Sequence, residues 1–270
     1  MRKRNKVILG AAAAAALVTG AAALDARLLT RTYTVYSDKL TAPVRLAVVA
    51  DLHSCRYGRG QAELLSALEA AAPDAVLLPG DIVDDDLPEG PAWDLLTALA
   101  ERWPTCYVTG NPEWWGGSAQ RIMEEIDHLG LWVLDGAEAD LTLNGQTIRF
   151  LGLDDPAAGE IYEEELASMA APGDPEHFTV LLAHRPERWE EYLSLGADLT
   201  VNGHAHGGQW RLPGLVNGLY APDQGLLPKY AGGLYHHGSM AGEGRLRAQS
   251  MVKNSKEKEN VNNFHKIPAC

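Results

Sequence analysis

Six short apolar runs, each closed by a glycine or a polar residue, constrain this chain more than any other feature. They are VRLAVVA (44–50), AVLLPG (75–80), TCYVTG (105–110), LWVL (131–134), FTVLLAH (178–184) and DLTVNG (198–203). Continuous apolar runs of this length, bounded by turn residues, read as strands buried on both faces. Between several of them stand amphipathic segments at 61–72, 92–103, 118–129 and 187–195, where Leu, Ile, Ala and Trp recur at helical spacing. DLTLNGQTIRFLGL (140–153) places Asn144-Gly145 between two strands and predicts a tight hairpin. Strands alternating with helices, plus one hairpin, define an α/β domain with a largely parallel sheet and some antiparallel pairing.

Both ends of the chain differ from this body. MRKRNK precedes VILGAAAAAALVTGAAAL, so a basic stretch leads into 18 apolar residues. That is the pattern of a signal anchor or signal peptide over residues 1–30, with the basic end cytoplasmic and the domain outside the membrane. Residues 241–270 hold six Lys/Arg against three Asp/Glu and lack any apolar run, which reads as a polar, mobile tail. The domain proper then occupies 31–240. The net charge of -13 excludes non-specific nucleic-acid binding, because a phosphate backbone would be repelled. Cys55, Cys106 and Cys270 have no CxxC spacing and suggest neither a disulfide framework nor a cysteine zinc site.

The chemistry collects where strands end, as expected of α/β folds. The run at 44–50 leads to Asp51 and His53, and that at 75–80 to Asp81 and then Asp84, Asp85 and Asp86. Asn111 follows the third run, His184 closes the fifth, and GHAH (203–206) adds His204 and His206. Asp, Asn and neutral His suit Zn, Mn or Fe. On extended segments Asp51 with His53, and His204 with His206, would each point to one side. A lone strand-end Asp is usually a turn former and a lone His a hydrogen-bonded core residue. Five strand ends presenting ligand types together favour metal binding. The Asp84–Asp86 run reads as a solvated acidic loop or a helix cap.

DLH, GDIVD, GN, a lone His after an apolar strand, and GHAH together resemble the calcineurin-like metallophosphoesterase superfamily. The continuation GHAHGGQWRLPG with GLYAPDQGLLPKYAGGLY is similar to its membrane-associated bacterial branch of YkuE and YaeI type, over roughly residues 43 to 239. The resemblance implies a four-layer α/β/β/α sandwich with mixed sheets and two divalent ions at the carboxyl edge. Asp51, His53 and His206 would hold one ion, Asn111, His184 and His204 the other, and Asp81 would bridge them. It implies a hydrolase for phosphomonoesters, phosphodiesters or pyrophosphates, acting on a phosphorylated small molecule, lipid or cell-wall substrate outside the cytoplasmic membrane.

One position departs from the family pattern. Gly110-Asn111-Pro112-Glu113 has proline where the family carries the histidine that protonates the leaving group. Proline has no proton to give, so turnover is expected to be weakened, with Asn111 and His184 supporting the metal-bound water. Proline also biases Asn111 toward extended backbone. His236 and His237 are candidate substitute donors. The alternative function is a catalytically silent metal protein that recognises a phosphorylated cell-envelope ligand. The loop 210–235 is apolar enough to touch a lipid or sugar, or to pack as a lid. A metallo-β-lactamase-like hydrolase is excluded by the lack of an HxHxDH run.

Overall fold

The computed structural model describes residues 28, 30–171, 173–209, 218–237, 247–250 and 264–265. The segment 1–30, expected to be a signal anchor or signal peptide, lies almost wholly outside these residues, as do Trp210, Leu212 and Leu215 of the apolar loop. Among the described residues no helix is long and apolar enough to cross a membrane.

The first sheet contains β1 (Leu46–Val48), β2 (Ala75–Pro79), β3 (Thr105–Val108) and β4 (Trp132–Val133), all parallel. The second is built on β5 (Glu138–Leu143), β6 (Gln146–Leu153), β7 (Phe178–Ala183) and β8 (Leu199–Val201). There β6, β7 and β8 run parallel and β5 is antiparallel to β6. The β5–β6 turn is the predicted one: Asn144 and Gly145 both adopt positive φ, 50° and 77°, which a two-residue hairpin of this twist requires. A small hairpin follows, β9 (Tyr220–Ala221) with β10 (Gly225–Leu226), and then β11 (Leu234–His237).

Period-two alternation sorts each strand's side chains between layers. Leu46, Val48, Leu77 and Val108 face Phe150, Val180, Leu182 and Val201 across the space between the sheets. Their neighbours Ala47, Val49, Val76, Leu78 and Tyr107 point outward, under α1 (Ala62–Ala71), α2 (Gly90–Ala100) and a helix at Ala119–His128. Leu151, Leu153, Leu181 and Ala183 point the other way, against Tyr162, Tyr192 and Leu195. The result is the expected α/β/β/α sandwich. Gly152 packs tightly against the residue after β4: a Cβ there would lie 2.1 Å from Leu134 Cβ and 2.2 Å from its carbonyl oxygen.

Helix boundaries follow the sequence pattern closely. α1 buries Leu64, Leu65, Leu68 and Ala71, a stripe at i, i+1, i+4 and i+7, and the helix at 119–128 buries Ala119, Ile122, Met123 and Ile126, a stripe at i, i+3, i+4 and i+7. α3 (Asn111–Trp115) precedes that helix, which is α4. α5 (Glu160–Met169) has no sequence prediction, because Tyr162 is its one buried residue and its first turn is acidic. The segment predicted at 187–195 is one turn of α-helix, α6 (Trp189–Tyr192), between two 3-10 turns.

Within 241–270, expected to be a polar, mobile tail, the described residues are β12 (Arg247–Ser250), which pairs with β8 and β11, and β13 (Phe264–His265), which pairs with β1. Open sheet edges offer unpaired N–H and C=O groups, and a segment can satisfy them without an apolar pattern. Cys55 is disulfide-bonded, whereas Cys106 is a buried free thiol. The apolar loop divides: Tyr230 is buried, while Leu226 and Leu227 are 74% and 66% exposed, so those two are not packed as a lid.

α5 is held to β6 by Glu165, whose Oε2 accepts from the Asp154 amide at 3.0 Å. Burial, then repulsion by Asp154, pushes the Glu165 carboxyl up to about 8. An unfolded Glu titrates near about 4.3. The folded protein therefore binds more protons between these values, and stability falls as pH rises through them. The thermal midpoint is expected to drop between pH 5 and 8, and Glu165→Gln to flatten that slope. An equally steep slope in the variant would remove Glu165 as its source.

Candidate metal centre

The carboxyl ends of β1, β2, β3, β7 and β8 converge at one edge of the sandwich, so both sheets contribute. Past the ends of β1 and β2 the two chains stay paired through Asp51 N to Gly80 O, His53 N to Asp81 O (2.8 Å) and Ser54 N to Ile82 O (3.0 Å). His184 Nδ1 donates to Pro79 O at 2.8 Å, tying the end of β7 to the end of β2 across the sheets.

The ligand pairs do not lie on extended backbone, which corrects the sequence argument. Asp51, His53, Asp81, His204 and His206 have φ of 55°, 48°, 56°, 61° and 46°. Left-handed backbone is uncommon outside glycine, costs about 1–3 kcal/mol per residue when held there, and gathers at functional sites. Here it folds each loop back so that successive side chains reach one edge. The neighbouring glycines have a separate duty. A Cβ at Gly110 would lie 2.0 Å from Asp81 Oδ1, and one at Gly203 2.5 Å from Asp51 Oδ1, so the GN and GH motifs need glycine for space.

Two sets of donor atoms result. His53, Asp81 and His206 form one, with all ligand atoms within 4.8 Å of one another, and Asp81, His184 and His204 form the other. Asp81 is common to both. Its two oxygens face outward to opposite sides: Oδ2 is 3.1 Å from His53 Nε2, and Oδ1 is 3.0 Å from His184 Nε2. Neither imidazole nitrogen makes a hydrogen bond there: His53 Nε2, His184 Nε2 and Asp81 Oδ1 are all buried without a hydrogen-bond partner. Asn111 Oδ1 and His204 Nδ1 are likewise buried and unpartnered. Orphaned polar atoms at this density would be costly unless something positive lay among them. A nitrogen and oxygen donor set of this kind fits divalent Mn, Fe or Zn. Asp51 packs beside the sets, accepting the His204 amide on Oδ1 at 2.6 Å.

Electrostatics agree. Burial works against a charge on His53, but attraction to Asp81, Asp51 and Asp84 outweighs it and raises the ring to about 9. His184 shifts upward for the same reason, against full burial, and Asp81 shifts downward. The cluster is a site that attracts positive charge, and protons fill that need when no dication does.

The surrounding residues were only partly visible in the sequence. Asp84 is not simply solvated: its Oδ2 lies 3.0 Å from His53 Nδ1, which turns Nε2 toward Asp81, while Oδ1 caps the amides of Asp86 and Leu87. Glu113 carries no functional signal in the sequence. Its buried carboxylate accepts from Ile82 N (2.8 Å), Val83 N (3.0 Å) and Gly110 N (3.0 Å), clamping the GDIVD loop to the GNPE loop. Burial, then Asp81, pushes Glu113 up to about 7. Pro112 occupies the first turn of α3, and Asn111 opens that helix rather than lying extended. His236 is on strand β11 and exposed, and it belongs to no donor set among the described residues.

Comparison with known proteins bears on the same edge. The calcineurin-like phosphoesterase family profile matches residues 44–208. The chain is 31% identical over 189 residues to Phosphodiesterase YaeI of Escherichia coli (strain K12), covering 67% of each. It is 26% identical over 208 residues to the uncharacterized protein YpbG of Bacillus subtilis (strain 168), covering 76% of this chain and 77% of that one. A further relative is the uncharacterized metallophosphoesterase YkuE of the same organism, 26% identical over 182 residues, covering 65% and 61%.

Proposed function

This chain belongs to the calcineurin-like phosphoesterase family, and from that premise we propose that it hydrolyses phosphoric esters at a centre of two divalent ions. Asp51, His53 and His206 would hold one ion, Asn111, His184 and His204 the other, with Asp81 shared between the two sets. The observation that carries this is Asp81, buried between two imidazole nitrogens and shared by both donor sets. When bound, the ions supply an acidified water as nucleophile and offset charge developing on phosphorus. The chain's own contribution is placement. Glu113 and the Gly110 and Gly203 backbones hold the loops, and the Pro79 carbonyl fixes the tautomer of His184 so that Nε2 keeps its lone pair.

Leaving-group protonation is where this site is weak. Pro112 has no proton to donate and exposed His236 stands outside the donor sets among the described residues, so substrates with poor leaving groups should turn over slowly. The same observation supports the second reading, a metal protein that binds a phosphorylated envelope ligand without turnover. We place the domain outside the cytoplasmic membrane, held by the N-terminal segment, with a phosphorylated small molecule, lipid or cell-wall component as substrate. The basic-then-apolar order of residues 2–24 supports that placement.

The test is hydrolysis of bis-p-nitrophenyl phosphate and p-nitrophenyl phosphate by the full chain, stripped by chelator and then reloaded with Mn²⁺. Turnover should vanish on stripping and return on reloading. Turnover that survives stripping would refute the metal mechanism. Two bound ions with no turnover on either ester would favour the silent binding protein.

A further inference from the structure

The stretch 218–225, GLYAPDQG, carries the family resemblance yet has no part in the reaction described above. It forms the β9–β10 hairpin, and its turn presents Asp223 at φ 53°. Asp223 Oδ2 lies 2.6 Å from His204 Nε2 and 2.6 Å from Arg185 Nη1. Arg185 in turn grips Asp155, whose side chain is fully buried, through Nε (2.8 Å) and Nη2 (3.0 Å). A guanidinium fork of this kind is a rigid support.

Two donors therefore meet on one carboxylate oxygen. Arg185 can only donate, so Asp223 is held as an acceptor and His204 must carry its proton on Nε2. Nδ1 then keeps its lone pair. That atom is buried, has no hydrogen-bond partner, and belongs to the donor set with Asp81 and His184. The His204 side chain is 3% exposed, so no water competes for it, while Asp223 is 50% exposed at the hairpin surface.

We propose that Asp223 is a positioning residue for the second metal: it fixes the tautomer and ring orientation of His204, and through it ties the β9–β10 hairpin to occupancy of that ion. The proposal deepens the two-ion reading and rests on it. Outer partners of metal-bound histidines typically contribute about 10–100-fold in metal affinity, and a shift of that size is expected here.

The test uses the full chain, wild type against Asp223→Ala and Asp223→Asn, with two readouts. The first is long-range ¹H–¹⁵N correlation of the metal-free protein, which reports the histidine tautomer directly. Wild-type His204 should appear protonated at Nε2, and Asp223→Ala should lose that single state. Asp223→Asn keeps a carbonyl oxygen for the Nε2 proton and should retain it in part. The second is Mn²⁺ titration by calorimetry. The first ion should bind Asp223→Ala as it binds wild type, and the second about 10–100-fold more weakly.

The outcomes separate cleanly. A wild-type His204 protonated at Nδ1 overturns the proposal whatever the metal count. Two ions bound to Asp223→Ala with unchanged affinities overturn it and leave the two-ion reading standing. One ion bound by wild type removes that reading and the proposal with it. A third ion, bound by wild type and lost with Asp223, would make Glu187, His204 and Asp223 a ligand set instead, since their donor atoms also lie within 4.8 Å of one another.

Discussion

Asp81→Ala should abolish binding of both ions together and lower hydrolysis of bis-p-nitrophenyl phosphate by about 10³-fold or more. Partners that only orient a ligand already contribute about 10–100-fold, and Asp81 is placed to touch both ions. Its side chain is 1% exposed, one oxygen faces His53 and the other His184. Without it, four imidazoles, an amide and Asp51 surround two positions that a dication can enter only against the repulsion of the other. The fold should survive, because Glu113 still clamps the neighbouring loops and alanine tolerates the space. The decisive contrast is in stability. Wild type at Mn²⁺ 100-fold above its Kd gains about 2.7 kcal/mol per ion by mass action, and the variant should gain none. A Mn²⁺-dependent rise in Tm equal to that of wild type would show that Asp81 is not the shared ligand.

Much of this architecture was legible because buried parallel strands write their own sequence. AVLLP and FTVLLA are apolar on every residue because both faces are covered, and Asn144-Gly145 names its own turn. What escaped the sequence depends on tertiary convergence. α5 carries little apolar signal because one tyrosine anchors it. Extended backbone was the natural reading of DLH and GHAH, yet their alternate residues are left-handed, a choice made by the pairing of loops that the sequence brings together only after folding. Glu113 gains its role from amides 30 and 31 positions away that local patterns cannot place. Asp223 and Arg185 meet at His204 from three separate loops, so no spacing rule connects them. The ligand residues themselves were visible because strand ends in α/β folds are where chemistry collects; the residues that hold them in place were not.

Pro112→His should raise turnover, and most for esters with poor leaving groups. The backbone is ready for the change. Residue 112 lies in the first turn of α3, where its amide would have no intrahelical partner, so proline contributes no backbone hydrogen bond that histidine must replace, although its ring is buried and the imidazole must find room in its place. The loss of proline's rigidity in the unfolded chain costs about 0.4–1 kcal/mol, too little to unfold a domain with three buried clusters. The gain is a proton donor beside Asn111, and a positioned general acid typically contributes about 10²–10⁴ in rate. A p-nitrophenolate leaves with little protonation and should gain least, whereas an alkyl phosphodiester should gain close to the full factor. The pH profile supplies an independent check. Catalysis by the new imidazolium should decline as pH rises through the histidine range, near about 6.5, while the residual Pro112 activity should lack that descending limb. Equal gains on aryl and alkyl esters would point to altered metal binding instead of proton donation. No gain on either, with both ions bound, would mean that the missing histidine is not what limits this site.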